Sequence, residues 1–226
     1  YSSITDFLGF AVNEGEYKVM GLSAFGNSES KLAKSISQLM SWDDDKKLLK
    51  ADMSYFDYHI STDNSYSKKL VDLLGPARNP FISLYPEDKD FQRCADIARG
   101  AQDLTIKLLC KIFEYAYELT GSRNFLFSGG VAMNSASLDK ISQLPFIDKI
   151  IVPPSPGDAG AAIGAAYYSY LKNVNSKKIN LPKPTLFPTV INTFEQENLT
   201  RKILNSEFDI LNTNEVDSLS IAAELI

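Results

Sequence analysis

Two short stretches of this 226-residue chain combine residue types suited to holding a ligand at the end of a strand. The first is Ser128-Gly129-Gly130-Val131-Ala132-Met133-Asn134, between a short apolar run and a helical pattern. Paired glycines let a backbone approach a ligand closely, and free N–H groups at a helix start suit an anion or a ribose oxygen. A plain tight turn is an equally weighted reading, with Val131 and Met133 expected in the core. The second stretch is Pro153-Pro154-Ser155-Pro156-Gly157-Asp158-Ala159-Gly160. Its prolines hold an extended loop, and Asp158 falls at the start of a helix so small-sided that it must pack closely on a neighbour. Taken alone, Asp158 reads as an N-cap. A carboxylate at the carboxyl edge of a parallel sheet is also well placed to hold a metal or order a phosphate, and the pairing of the two loops favours that role.

Other candidates are weaker. Lys18 and Gly21 lie in Gly15-Glu16-Tyr17-Lys18-Val19-Met20-Gly21-Leu22, where the lysine is placed to neutralise a phosphate, although a solvated surface lysine is the commoner outcome. The single histidine, His59, follows an aromatic run without a second His or Cys nearby, which predicts a partly buried packing role. No Ser-His-Asp or Cys-His nucleophile system can be assembled.

The elements that must position these residues follow from hydrophobic periodicity. Residues 1–26 suggest a strand or hairpin leading into a Gly21 to Gly26 loop, and Ser28 a cap for a helix through Met40. Leu48 to Ile60, rich in Tyr and Phe, suggests β structure, and 61–90 an insertion with little regular structure. From Phe91 a long helix is predicted, with Cys94, Ala95, Ala98, Ala101, Thr105 and Leu108 on the inner stripe and Asp96 and Asp103 outside, stopped by Gly121. Two strand, turn and helix units come next: Asn124 to Phe127 leading to a helix from Ala132, and Lys149 to Val152 leading to a helix over Ala159 to Leu171. Such alternation predicts an α/β fold with parallel pairing and helices covering the sheet. Beyond it, 172–226 reads as an extended linker with a helix near 194–205, a strand at Phe208 to Leu211 and a helix capped by Asn214, still unfinished at Ile226. The chain is therefore expected to continue into a further domain.

Composition narrows the function classes. A 44% hydrophobic content supplies a core, and 23 Lys plus Arg against 28 Asp plus Glu, a formal charge of −5 without a basic stripe, argues against nucleic acid or an acidic membrane as partner. Cys94 and Cys110 fall on one predicted helix, too far apart to be bridged, which suits a reducing, cytoplasmic compartment. The small apolar run Ala159 to Tyr168 is too short to span a bilayer.

An ordered series of motifs resembles the NodU/CmcH-type O-carbamoyltransferases over roughly residues 1 to 170. It comprises Tyr1-Ser2-Ser3-Ile4-Thr5, Leu8-Gly9-Phe10, Lys18-Val19-Met20-Gly21-Leu22-Ser23-Ala24-Phe25-Gly26, Asp96-Ile97-Ala98 with Gln102, Ser128 through Asn134, and Gly157-Asp158-Ala159-Gly160 with Gly164-Ala165-Ala166. The resemblance implies that 1–171 is the second half of an actin-like ATPase lobe, with a sheet flanked by helices, and that 172–226 leads into a YrdC-like domain. It further implies that carbamoyl phosphate and ATP give a carbamoyl-adenylate, whose carbamoyl group passes to a hydroxyl of a sugar or natural product. By the same resemblance Ser128, Gly129, Gly130, Asn134, Gly157, Lys18 and Gly21 contact the nucleotide, and Asp158 binds a divalent metal, expected to be iron. The family's two histidine ligands would precede Tyr1, and Ser23-Ala24-Phe25 stands where Ala-Pro-Tyr or Ala-Ala-Tyr is usual. Expected partners are the small hydroxyl acceptor, the remaining domains of the same chain and a second copy in a homodimer. Rival readings are a threonylcarbamoyl or hydrogenase-maturation carbamoyltransferase, and a non-catalytic nucleotide-binding lobe.

Overall fold

One 30-residue helix organises the molecule: α5, Phe91–Thr120, about 45 Å long at 1.5 Å per residue. It ends where expected, at Gly121 with φ 65° and its N–H on the Tyr117 carbonyl. The first part of α5 is enclosed on nearly all sides, because Cys94, Ala95, Ala98, Gly100 and Ala101 are small enough for neighbouring helices to approach around buried Ile97. The computed structural model describes residues 1–173; Lys172 and Asn173, expected to open the linker, end the last described helix, and the rest of the linker, the tail helices and the strand at Phe208 to Leu211 lie outside the described residues.

Against this first part of α5 pack α1 (Ser2–Phe7), α2 (Glu16–Ser23), α3 (Lys31–Ser35) and α4 (Lys68–Leu74). The strand or hairpin expected over 1–26 is therefore two short helices. Buried Ile4, Phe7 and Leu8, and then Val19, Leu22 and Ser23, recur at i, i+3 and i+4, a helical spacing that short apolar runs disguise. Gly21 accordingly lies inside α2 and not in a loop. Ser30, not Ser28, caps α3 by accepting from the Ala33 N–H, and a 3-10 turn at Ile36–Gln38 ends the helical stretch. Within the supposed insertion, Ser67 caps α4, whose Leu70 and Leu74 enter the core.

Met40–Asp43 (β1) and Leu48–Ala51 (β2) form an antiparallel hairpin with Met40 opposite Ala51 and Asp43 opposite Leu48. The β structure expected to Ile60 is broken after Ala51 by a 3-10 turn at Met53–Tyr55, beyond which Phe56 makes an isolated antiparallel bridge with Tyr66. His59 is exposed and meets Tyr58 edge-on, so the partly buried role predicted for it is not found. Asp96, predicted outside, is 9% exposed because the chain after α2 folds over it. Its carboxylate accepts from the Asn27 N–H at 2.8 Å and from Gln92 Nε2 at 2.8 Å.

The second half of α5 supports the α/β part. β3 (Asn124–Leu126) and β4 (Lys149–Ile151) pair in parallel, Phe125 opposite Ile150, with α6 (Ser135–Ser142) in the crossover and α7 (Gly160–Asn173) after β4. Phe113 of α5 meets Phe125 and Phe127 edge-to-face at 5.2 and 5.4 Å, a favoured aromatic arrangement. Among the described residues the fold is thus mixed α/β with two small sheets, of which the alternating pattern predicts the parallel one. No helix among the described residues is long and apolar enough to cross a membrane.

Candidate functional site

The two glycine-containing loops meet at the carboxyl ends of β3 and β4. The Phe127 N–H donates to the Ile151 carbonyl at 2.9 Å, extending the parallel pairing to the point where both chains turn away. There the Gly129 N–H at 2.8 Å and the Ser128 hydroxyl at 3.1 Å both donate to the Pro156 carbonyl, stitching the loops together. Gly129 has φ 103°, a backbone region that side chains strongly disfavour, so this turn is available to glycine alone. A Cβ on Gly157 would lie 3.9 Å from the Gly130 Cα, which places Gly157 beside the turn.

The chain after Gly129 makes a 3-10 turn, Gly130–Met133, before α6 begins at Ser135, so the helix expected from Ala132 starts later. Asn134 is its cap: Oδ1 accepts from the Ser137 N–H at 3.0 Å. Ala132 and Asn134 N–H groups donate to Gly129 and Val131 carbonyls. The Gly130 and Val131 N–H groups have no protein acceptor among the described residues, and both residues are exposed. Val131 and Met133, expected in the core, are 40% and 63% exposed, because the 3-10 turn points them outward from the strand ends while Ala132 alone is buried.

Asp158 is also exposed. Its backbone carbonyl accepts from the Ala161 N–H at 3.0 Å, but its carboxylate makes no hydrogen bond or ion pair among the described residues. The carboxylate is therefore not a helix cap, since a cap would accept an N–H of the first turn. Close packing of the small-sided helix is met at one place, Gly160, where any Cβ would collide with the Ser155 carbonyl oxygen. The remainder of α7 is largely exposed among the described residues. As metal ligands these residues are incomplete: Asp158 offers one carboxylate, and no group of three or more His, Cys, Asp or Glu able to hold an ion occurs among the described residues.

Lys18 and Gly21 lie elsewhere. They line an open cleft of about 1080 Å³, with Phe10, Tyr17, Phe25 and Phe81 as aromatic walls, and no residue of the two loops borders it. Another side of α2 faces α6, where the Ser135 hydroxyl reaches Met20 Sδ at 3.7 Å. The Lys18 ammonium stands 5.9 Å from the centroids of both Phe10 and Tyr17 and has no ion-pair partner among the described residues. Arg78, also in the cleft wall, is held by the carbonyls of Leu8, Gly9, Asn79 and Ile82. Thus Ser128, Gly129, Gly130 and Gly157 come together with Asp158 close in sequence, whereas Lys18 and Gly21 form a separate surface.

Residues 1–167 match the family model described as Carbamoyltransferase N-terminus. The chain belongs to this carbamoyltransferase family. Its similarity to family relatives runs through most of its length: it is 35% identical over 182 residues to the uncharacterised Synechocystis sp. protein sll1178, covering 76% of this chain and 27% of that protein. It is 25% identical over 169 residues to nodulation protein NolNO of Sinorhizobium fredii, covering 74% and 22% respectively. Nodulation protein NolO of Bradyrhizobium diazoefficiens is 26% identical over 152 residues, with 67% and 24% covered. The chain spans about a quarter of the length of these curated relatives.

One feature of the site escaped sequence reasoning. Tyr1 and Asn134, far apart in sequence, converge on Gln102. The available signal was a polar glutamine on the buried stripe of α5, between Ala98, Ala101 and Thr105 at helical spacing.

Proposed function

We propose that this chain is the part of an ATP-dependent O-carbamoyltransferase that holds the nucleotide at the joined loops, within an actin-like lobe. Carbamoyl phosphate and ATP supply a carbamoyl-adenylate, and the acceptor is a hydroxyl of a sugar or natural product. The observation that carries this reading is a pair of exposed backbone N–H groups, Gly130 and Val131, without acceptors among the described residues, in a turn joined to the loop that carries Asp158, whose carboxylate makes no hydrogen bond or ion pair among the described residues.

Each residue has a physical task. Gly129 takes the conformation that turns the backbone N–H groups outward, where a phosphate or ribose oxygen accepts from them. Pro156 fixes the two loops to each other, so the groups facing the ligand are set before it arrives. Lys18 offers its ammonium to a phosphate in the separate open cleft that it lines. In the transfer step the acceptor oxygen bonds to the carbamoyl carbon, the bond from that carbon to the phosphate oxygen breaks, AMP departs with the electron pair, and the hydroxyl proton passes to solvent. Asp158 would be one ligand of a divalent cation, iron by the resemblance, which would supply Lewis acidity there.

The test is Asp158→Asn in the full-length protein. Because the carboxylate caps nothing, melting stays close to wild type, while bound metal and carbamoyl transfer fall by roughly 100-fold. Wild-type metal content and turnover in the mutant would end the assignment of Asp158.

A further inference from the structure

We propose that Gln102 is a positioning residue for the glycine turn, acting through Asn134; the proposal rests on the nucleotide reading given above. Gln102 lies on α5 and is 3% exposed. Its Oε1 accepts from the Tyr1 hydroxyl at 3.0 Å and from Asn134 Nδ2 at 2.9 Å. Its Nε2 donates to Asn134 Oδ1 at 2.9 Å and to the Ser137 hydroxyl at 3.1 Å. Two acceptor sites and two amide protons are thereby all used, the full capacity of a glutamine side chain.

The orientation of both amides follows from the backbone. The Ser137 N–H can only donate, so the Asn134 atom it meets at 3.0 Å must be the oxygen. The Gln102 atom meeting that oxygen must then be nitrogen, which turns Oε1 toward Tyr1 and Asn134 Nδ2. Asn134 Oδ1 thus receives two hydrogen bonds, one from the start of α6 and one from α5. Burial raises the Tyr1 phenol above its ordinary range, and the Asn134 amide opposes that rise, so the hydroxyl stays a donor in this network at neutral pH.

Asn134 is the hinge between two structures, since its side chain caps α6 while its N–H closes the 3-10 turn on the Val131 carbonyl. Fixing the Asn134 amide therefore fixes the exit of the turn that carries Gly130 and Val131. The other end of the turn is fixed by the Gly129 N–H on Pro156. Gln102 is the only one of these anchors that reaches the long helix, which is why it sets the turn relative to the core and not merely relative to the neighbouring loop. Nothing in this arrangement brings Gln102 to the ligand.

Gln102→Met in the full-length protein keeps the volume and removes all four hydrogen bonds. The expected result is a KM for ATP raised about tenfold, the size of a shifted pair of hydrogen bonds, with kcat and the KM for carbamoyl phosphate within about twofold of wild type. A merely structural role would lower melting temperature and active fraction, leaving both KM values unchanged. Asn134→Asp keeps the cap oxygen and loses the Nδ2 donor; it should weaken ATP similarly, and the double variant should be no worse than either single one. An unchanged KM for ATP in Gln102→Met overturns the proposal. Gly129→Ala separates the two levels of failure, because it strains the turn directly. If Gly129→Ala raises the KM for ATP and Gln102→Met does not, positioning alone is wrong; if neither variant changes it, the nucleotide reading falls as well.

Discussion

The two halves of helix α5 carry regions built on different principles. Around the first half, sixteen buried residues among those described, from α1 through α5 and including Phe7, Leu8, Ile36, Leu70 and Ile97, form one continuous cluster. Around the second half, the buried cluster among the described residues is Leu109, Phe113 and Ile141, with a rim of partly buried side chains that includes Phe125 of β3, Ile150 of β4 and Phe146 of the α6 to β4 connection. The candidate site sits on this thinner side. Its loops are held by hydrogen bonds to Pro156 and Gln102, not by buried apolar area, and its surroundings expose Leu126, Val131, Met133, Ile151 and Ile163. A packed core resists change in shape, whereas hydrogen-bonded loops on a small sheet can present backbone groups to a ligand.

The largest effect should separate the regions directly. Phe7→Ala removes a ring that is 1% exposed and meets Tyr66 edge-on, and is expected to cost about 3–5 kcal/mol in urea denaturation of this chain. Leu126→Ala, at a side chain 71% exposed on β3, should change stability by no more than about 0.5 kcal/mol. Comparable losses at both positions would break the contrast, because they would mean that the β3 face is covered in solution.

Legibility in the sequence followed the same division in an unexpected direction. The α/β part, though thinly packed, was legible: α5 and its Gly121 stop, both parallel strands and both loops stand where periodicity places them, since strand, turn and helix alternate with little overlap. The well-packed part was misread. α1 and α2 are six and eight residues long, too short for a helical repeat to stand out, and α4 lies among breakers that conceal it. For the site itself, the meeting of the two loops was expected, but the separation of Lys18 and Gly21 from them was not. That separation depends on which side of α2 faces α6, a tertiary fact that spacing within one helix does not contain. Asp158 illustrates a subtler limit: its position suggested a cap, while only the conformation of the loop decides whether carbonyl or carboxylate meets the helix.

The two cysteines sharpen the comparison with a smaller effect. Cys94 belongs to the larger cluster and is 0% exposed, while Cys110 packs partly buried against the smaller one. Both thiols are free, and sixteen positions along one helix separate them by roughly 24 Å, far beyond a disulfide. Burial raises both thiols, Cys94 from 9.0 to about 11. A thiol reagent at pH 8 should modify Cys110 on the order of tenfold or more faster than Cys94, with Cys94 reacting only as the fold opens. The sign of the accompanying pH dependence is set by the raised value. The neutral thiol is favoured in the folded state, so its contribution is complete below pH 9.0 and is lost as pH rises toward about 11. Equal labelling rates would show that the core around the first half of α5 opens as readily as the thin side.

The smallest effect is expected on the surface, where each region has an exposed carboxylate paired with a cation: Asp52 with Lys69 beside the hairpin, and Asp148 with Arg123 between β3 and β4. Asp52 accepts from the Ser54 hydroxyl at 2.6 Å and from the Ser54 N–H at 3.1 Å, and Lys69 lies at 3.1 Å. The Ser54 hydroxyl, then Lys69, lowers its carboxyl from 3.8 to about 2. Asp148 is lowered chiefly by its hydrogen bond with Arg123. A lowered carboxyl stabilises the fold above its unfolded value, so the Asp52 contribution is present above pH 3.8 and fades as pH falls toward 2. Solvent and salt weaken such exposed pairs, so neither Asp52→Asn nor Asp148→Asn should shift melting appreciably. Salt distinguishes hydrogen bonding from charge in the Asp52 shift. At 1 M, where the screening length is about 3 Å, the charge contribution of Lys69 shrinks while both Ser54 hydrogen bonds persist. A carboxyl titration followed by NMR should therefore rise only part of the way back toward 3.8 in high salt. A full return would assign the shift to Lys69 alone, and the Asp52 cap of the turn after β2 would lose its support.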